Sequence, residues 1–370
     1  MTELTLLKKL ISFDSQSFKT NKPIVDFIAG LFFPKQCRIT ELKKDDVKLY
    51  NLEVRFPGKK SSKPFIFSGH TDTVPTSSRW TRNPFKAQVI GNKLFGLGST
   101  DMKAGLACMI MAALSIKEKP AQDVVFLFDA DEEAGCTGGK DFIKRLKFKN
   151  AKVVVCEPTD GDLKIGQKGG LEVKVTFGGK AFHSSRTSYE KNLKFNAIQK
   201  ACRAIVALGA LEKKMEKQKS DLFTPPTQAI CEIKGGTAAN VIPDECSFVI
   251  NRRLIPVENK EQVLAAIKLV LLAVDPKVKI QETFWGSPNL LNQESELFKM
   301  AGRISRSVLN KVGIKVTSGW TQAGLFKKWG DCLIWGPGVL EMAHQADEYC
   351  PIDFLTKMTE CYKRLIEGNK

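Results

Sequence analysis

Residues 65–74 read FIFSGHTDTV. An apolar run that closes on polar residues is the pattern of a buried strand delivering functional groups at its end. Residues 123–130 (DVVFLFDA) predict a second buried strand, and 152–156 (KVVVC) a third. Residues 103–116 (KAGLACMIMAALSI) predict a helix between them, and another is expected around Lys140 to Leu146. Near-continuous apolar strands alternating with helices indicate a covered, largely parallel sheet.

The texture changes after about residue 166. LEVKVTFGG alternates apolar and polar residues, as a half-exposed strand does. A helix is predicted near Asn196 to Lys217, then two alternating strands, QAICEIKGG and CSFVINRRL, then a helix over roughly 259–274. This β-α-β-β-α-β order suits a small two-layer α+β unit of ferredoxin-like type. From about residue 290 the first texture returns and ends with DCLIWGPG and a last helix. The expected fold is therefore α/β, with a doubly wound mixed sheet. The expected domains are 1–166 with 287–370, interrupted by an inserted domain over 167–286.

A chain of 370 residues suits about two domains. At 43% hydrophobic and 26% charged it is neither disordered, collagenous nor a small disulfide scaffold. No apolar run reaches the roughly 18–20 residues of a membrane span, and Val263 to Val274 is broken by Lys268. The start, MTELTLLKKLISFDSQS, reads as an amphipathic helix and not as a signal peptide, so a cytoplasmic protein is expected. Lys and Arg number 57 against 40 Asp and Glu, a net charge of +17. The basic residues are scattered, and no nucleic-acid motif accompanies them, so a solvated surface that steers anionic small molecules is favoured. The ten Cys form no CxxC pair, which argues against disulfides and Cys-based zinc. Cys108, Cys156 and Cys231 lie in apolar runs and are expected to be buried. Cys136 lies near an acidic motif with nothing to mark it as a nucleophile.

The chemistry concentrates at a few positions. His70 and Asp72 (GHTD), Asp101 (GSTDMK), Glu132 and Glu133 (DADEEAG), Glu157 (CEPTD) and His344 (AHQADE) follow strands or edge them. Strand ends line the ligand crevice of an open α/β sheet. Two His with several carboxylates make a mixed N/O ligand set that suits two divalent ions sharing one carboxylate. Residues 70 and 72 would face the same way in an extended strand, so Asp72 could support the His70 ring. Of the neighbours Glu132 and Glu133, one can ligate and leave the other as a base. GLGSTD lacks the third Gly of a dinucleotide loop and the Lys of a P-loop. GGTAAN (235–240) reads as a turn.

Taken together, GHTDTVP, GLGSTDMKAG, DEEAG, CEPT, FHSSR with NAI, and GPG…AHQADE resemble the dinuclear zinc family of acetylornithine deacetylases, succinyl-diaminopimelate desuccinylases, aminoacylases and glutamate carboxypeptidases. The resemblance covers essentially the whole chain. It implies that His70 and Glu157 bind one metal, that Glu133 and His344 bind the other, and that Asp101 bridges them. Zn²⁺ is implied, with Co²⁺ or Mn²⁺ as tolerated ions. Asp72 would hold His70, and Glu132 would be the general base. The inserted domain would dimerise the chain, and His183 of the partner subunit would complete the site. Asn240 and Arg253 would hold the acyl or carboxylate end of an N-acyl amino acid. RWTRNPF (79–85), KLFGLGSTDMK with Leu97, and GPG…AHQADEY resemble the acetylornithine deacetylase branch. That implies conversion of N²-acetyl-L-ornithine to L-ornithine and acetate in arginine biosynthesis. A desuccinylase, dipeptidase or glutamate carboxypeptidase is the alternative. Gln322 stands where many relatives carry an acidic residue, at a position implied to meet the substrate amine.

Overall fold

In the computed structural model of the chain, residues 1–368 are described. Asn369 and Lys370, the last residues of the expected interrupted domain, lie outside the described residues. Two compact units emerge. One comprises Met1–Gly166, Asn289–Val316 and Thr321–Lys370, and the other Gln167–Pro288 and Thr317–Trp320.

The larger unit is built on a nine-stranded mixed sheet. At its centre Lys60–His70 lies parallel to Gln122–Asp129 on one side and to Ala151–Val155 on the other. Gly330–Ile334 continues the parallel set beside Ala151–Val155. The hairpin of Cys37–Lys44 and Val47–Phe56 adds antiparallel strands at one edge. Phe65 and Phe67 enter the core formed with the helices Glu3–Ile11, Lys103–Leu114, Glu296–Leu309 and Ile352–Glu367. Ile66, Val125 and Leu127 point to the other face and pack with Phe142, Phe326 and Trp329. Alternate residues of the same strands thus serve two cores, which is why those strands read as unbroken apolar runs. Lys103–Leu114 is apolar almost all round because it is buried almost all round. Gly105 permits its close approach to the end of the third strand, where a Cβ would collide with the Cys156 carbonyl. No described helix is long and apolar enough to cross a membrane.

The smaller unit is a four-stranded antiparallel sheet in the order Thr227–Gly235, Glu245–Leu254, Gly169–Gly178, Lys279–Gly286. Leu171, Val173, Val175 and Phe177 face one side and meet Ala197, Ala201, Ala204 and Leu208 of the helix Ala197–Met215. Ile267 and Leu271 of Lys260–Val274 complete this core. The segment Thr317–Trp320 also belongs to this unit, beyond the expected boundaries. The Lys168 N–H donates to the Thr317 carbonyl at 3.1 Å, and Trp320 Nε1 donates to the Ser287 carbonyl at 3.1 Å. The Trp320 ring meets Phe284 edge-on at 5.1 Å.

One burial expectation fails. Cys231 is exposed, while Cys108 and Cys156 are buried. Thr227–Gly235 is an edge strand with mostly exposed residues, and its register slips between Ile230 and Glu232, which leaves Cys231 out of the pairing. Ile230 of this strand still packs on the helix layer, whereas Cys231, set out of the pairing, is left in solvent.

Candidate metal centre

The central strands end together. His70 is the last residue of its strand, Glu132 and Glu133 follow Gln122–Asp129, and Glu157 follows Ala151–Val155. Asp101 opens the turn into Lys103–Leu114, and His344 lies in the loop after Gly330–Ile334. These six side chains, all in the larger unit, converge. The two Asp101 oxygens face different histidines: Oδ1 is 3.2 Å from His70 Nε2, and Oδ2 is 3.4 Å from His344 Nε2. Glu157 Oε1 lies 3.5 Å from His70 Nε2, and Glu133 Oε2 lies 3.1 Å from His344 Nε2. Ligand atoms of His70, Glu132 and Glu157 all lie within 4.8 Å of one another, as do those of His70, Asp101 and Glu133. Two histidines and four carboxylates are thus gathered at one place, with Asp101 between the histidines. The His70 half is buried, whereas the His344 side chain is 53% exposed.

The donor set fits divalent ions. Four atoms held at about 2.0–2.1 Å around a tetrahedral ion sit about 3.3 Å apart, the spacing seen here. The electrostatics agree. Burial raises Glu132, Glu133 and Glu157 above the ordinary glutamate range, and nearby carboxylates push the same way, while His70 opposes. Burial opposes the low value of Asp101, but hydrogen bonds from His344 and His70 keep it well below the usual carboxylate range. Bonds to Asp101 and Glu133 lift His344 to about 11. A buried group of like charges with this much mutual strain is what a cation relieves.

Asp72 lies against the His70 ring, by another route than the shared strand face that was expected. The chain leaves the strand at His70, so residues 70 and 72 do not share a face of extended backbone. The His70 ring is held by the Asp72 backbone carbonyl, 2.9 Å from Nδ1, while the carboxylate is 3.7 Å away. That carboxylate instead accepts the N–H groups of Glu132 at 3.1 Å and Glu133 at 3.2 Å. Ser17 Oγ donates at 3.3 Å to Oδ2, the oxygen that accepts the Glu133 N–H. One residue thus orients His70 with its backbone and the DEEAG turn with its side chain.

The GLGSTD loop does cradle a carboxyl group, but one of the chain's own. The N–H groups of Gly98, Thr100 and Asp101 converge on the carboxylate of Glu348. Burial pushes Glu348 up to about 8, against these three N–H groups, which favour its charged form. The RWTRNPF stretch joins the same region. The Thr81 and Arg82 N–H groups donate to Asp347 Oδ1 at 3.1 and 3.2 Å. Gln322 is fully buried, and its Nε2 donates to the Asp129 carboxylate at 3.2 Å, so it is an internal partner of a strand end and not a presented contact. Cys136 is buried, which raises its thiol well above the ordinary value and suits no nucleophile.

His183, Asn240 and Arg253 belong to the smaller unit. The His183 segment pairs with Val241, and the Ser184 N–H donates to the Asn240 carbonyl at 2.9 Å, so His183 and Asn240 lie side by side. The exposed His183 ring has Nδ1 turned to Ser185, 3.2 Å from its N–H and 2.8 Å from its Oγ, which leaves Nε2 facing away. Arg253 lies on Glu245–Leu254 opposite Gly170 and is partly exposed. Glu348 and Ser17 were not singled out from the sequence. Glu348 had a signal, four residues beyond His344, but its partners are backbone amides and carry no side-chain signature.

Comparison with known proteins gives a consistent result. The model of peptidase family M20/M25/M40 matches residues 66–368. An acetylornithine deacetylase of Buchnera aphidicola is 26% identical over 99% of this chain and 96% of its own. A succinyl-diaminopimelate desuccinylase of Ehrlichia ruminantium is 27% identical over 98% and 97%. Among solved structures, a metallo-carboxypeptidase of the M20 family from Sulfolobus solfataricus superposes with a TM-score of 0.78. It has 17% identity and covers 99% of this chain and 98% of that one.

Proposed function

The chain belongs to peptidase family M20/M25/M40 and is a hydrolase of that family, and we propose that it removes the acyl group from an N-acyl amino acid, with N²-acetyl-L-ornithine as substrate. The observation that supports this most is Asp101, whose two oxygens face the two histidines. His70 and Glu157 would hold one ion, His344 and Glu133 the other, with Asp101 between them. Ions there, with Zn²⁺ as the first choice, would acidify a water and polarise an amide carbonyl.

The side chains do the rest. Glu132 takes the proton of the attacking water and returns it to the leaving amine. Its N–H, bound by Asp72, fixes its backbone for this. His183 donates its Nε2 proton to the oxyanion of the tetrahedral intermediate. Arg253 pairs with the substrate carboxylate, and Asn240 holds the same end. The two-layer unit, ferredoxin-like in its strand order, serves as a dimerisation domain, and His183 acts on the partner's centre. The protein is assigned to the cytoplasm, and N²-acetyl-L-ornithine, a zwitterion with one carboxylate and one ammonium, gains no net steering from the +17 charge.

Hydrolysis of N²-acetyl-L-ornithine with added Zn²⁺ or Co²⁺ tests the reading, with a chelator control and succinyl-diaminopimelate alongside. Chelator-sensitive release of ornithine is expected. Activity on the succinyl substrate alone would overturn the specificity and favour the second reading, a desuccinylase, which the Ehrlichia relative supports.

The role of His183 has its own test. His183→Ala and Glu132→Ala are each expected to be inactive, and a mixture should recover activity at about a quarter of the sites, because a two-fold dimer of one copy of each rebuilds one site. No recovery, once subunit exchange is shown by tagged copies, would place His183 outside the partner's chemistry.

A further inference from the structure

Glu348 is 2% exposed and lies four residues beyond His344. Its Oε2 accepts the Gly98 N–H at 2.9 Å, and its Oε1 accepts those of Thr100 and Asp101 at 2.7 Å each. Its backbone carbonyl accepts the Gly96 N–H at 3.0 Å. Beside it, Thr100 Oγ1 donates to the Tyr349 carbonyl at 2.6 Å. Two loops 247 residues apart in sequence at Asp101 and Glu348 are thus joined by five hydrogen bonds, four of which end on Glu348. One loop carries Asp101 and the other carries His344.

We propose that Glu348 is a positioning residue that sets Asp101 and His344 at the spacing a shared metal ion requires. The proposal rests on the metal reading above. Its chemistry is specific to a carboxylate. Three N–H donors converge, and only an acceptor-only group satisfies all of them. A glutamine would turn an N–H₂ group toward at least one donor. The same amide that Glu348 binds is the backbone of Asp101 itself, so any retreat of the carboxylate moves the ligand directly. His344 adopts a left-handed backbone, with φ of 63°, a few residues upstream, so its placement depends on the loop being held from outside.

The test uses full-length protein stripped of metal and titrated with Co²⁺, read by calorimetry and by the visible spectrum of the bound ion. Thermal melts of the metal-free proteins run in parallel. Glu348→Gln is expected to weaken Co²⁺ binding about 10–100-fold, as loss of a group that orients a ligand does, and to alter the spectrum. Thr100→Val, which removes the two neutral bonds of the Thr100 hydroxyl, to the Tyr349 carbonyl and from the Val339 N–H, should weaken it less. A residue that merely stapled the loops would lower the melting temperature and leave the affinity and spectrum of the folded protein alone, and that result would overturn the proposal. If Glu348→Gln does not fold, Thr100→Val decides, and wild-type Co²⁺ binding in that variant refutes it. Wild-type protein that binds no Co²⁺ sinks the metal reading itself, and this outcome is seen before any variant is made.

Discussion

Asp101→Ala is expected to abolish turnover and to release both metal ions together. Its two oxygens face the two histidines, at 3.2 and 3.4 Å. Without them, each half-site keeps one histidine and one glutamate, too few donors for a divalent ion that takes four. Loss of the ions removes several kcal/mol of transition-state stabilisation, on the order of 10³-fold or more in rate. The backbone should stay in place, because alanine keeps the N–H that Glu348 binds. Elemental analysis after dialysis and the rate under saturating substrate check this. Glu133→Ala is the contrast, since it should lower the content toward one ion. An Asp101→Ala protein that retains two ions would remove Asp101 from the bridging position.

The parts of this arrangement that were legible in the sequence share a physical cause. Strands such as Lys60–His70 are covered on both faces from Phe65 onward and are apolar there until they reach their polar ends, so they announce themselves and those ends. The smaller unit has one covered face, and Leu171, Val173, Val175 and Phe177 write that face as an alternation. What was missed rests on backbone groups or on position in a sheet. Asp72 orients His70 through a carbonyl, which any residue possesses. Glu348 binds amides, which are identical at every non-proline position. Cys231 is exposed because its strand is at an edge, and strand order is a property of the folded sheet. Thr317–Trp320 joins the smaller unit through contacts that include the Lys168 N–H on the Thr317 carbonyl and the Trp320 ring on Phe284, and it is too short a stretch to show a period.

Glu132→Gln is expected to lower kcat by about 10²–10⁴-fold, the range for loss of a positioned general base, while both ions remain. Glutamine keeps the volume and the backbone N–H that Asp72 accepts, so only the proton acceptor is lost. The dependence on pH supplies an independent check. Burial raises Glu132 above the ordinary glutamate range, Glu157, Glu133 and Asp72 push it the same way, and His70 opposes them. A base acts when ionised, so activity is present above its pKa and lost as pH falls through it. Bound cations lower that pKa, which places the limb where repulsion and attraction balance. The limb should vanish from the small residual rate of Glu132→Gln. Loss of an ion in this variant would instead assign Glu132 to the ligands, a role its distance from His70 and Glu157 permits. Metal content therefore separates the two roles that neighbouring carboxylates at 132 and 133 can exchange, and it must be measured on the same sample as the rate.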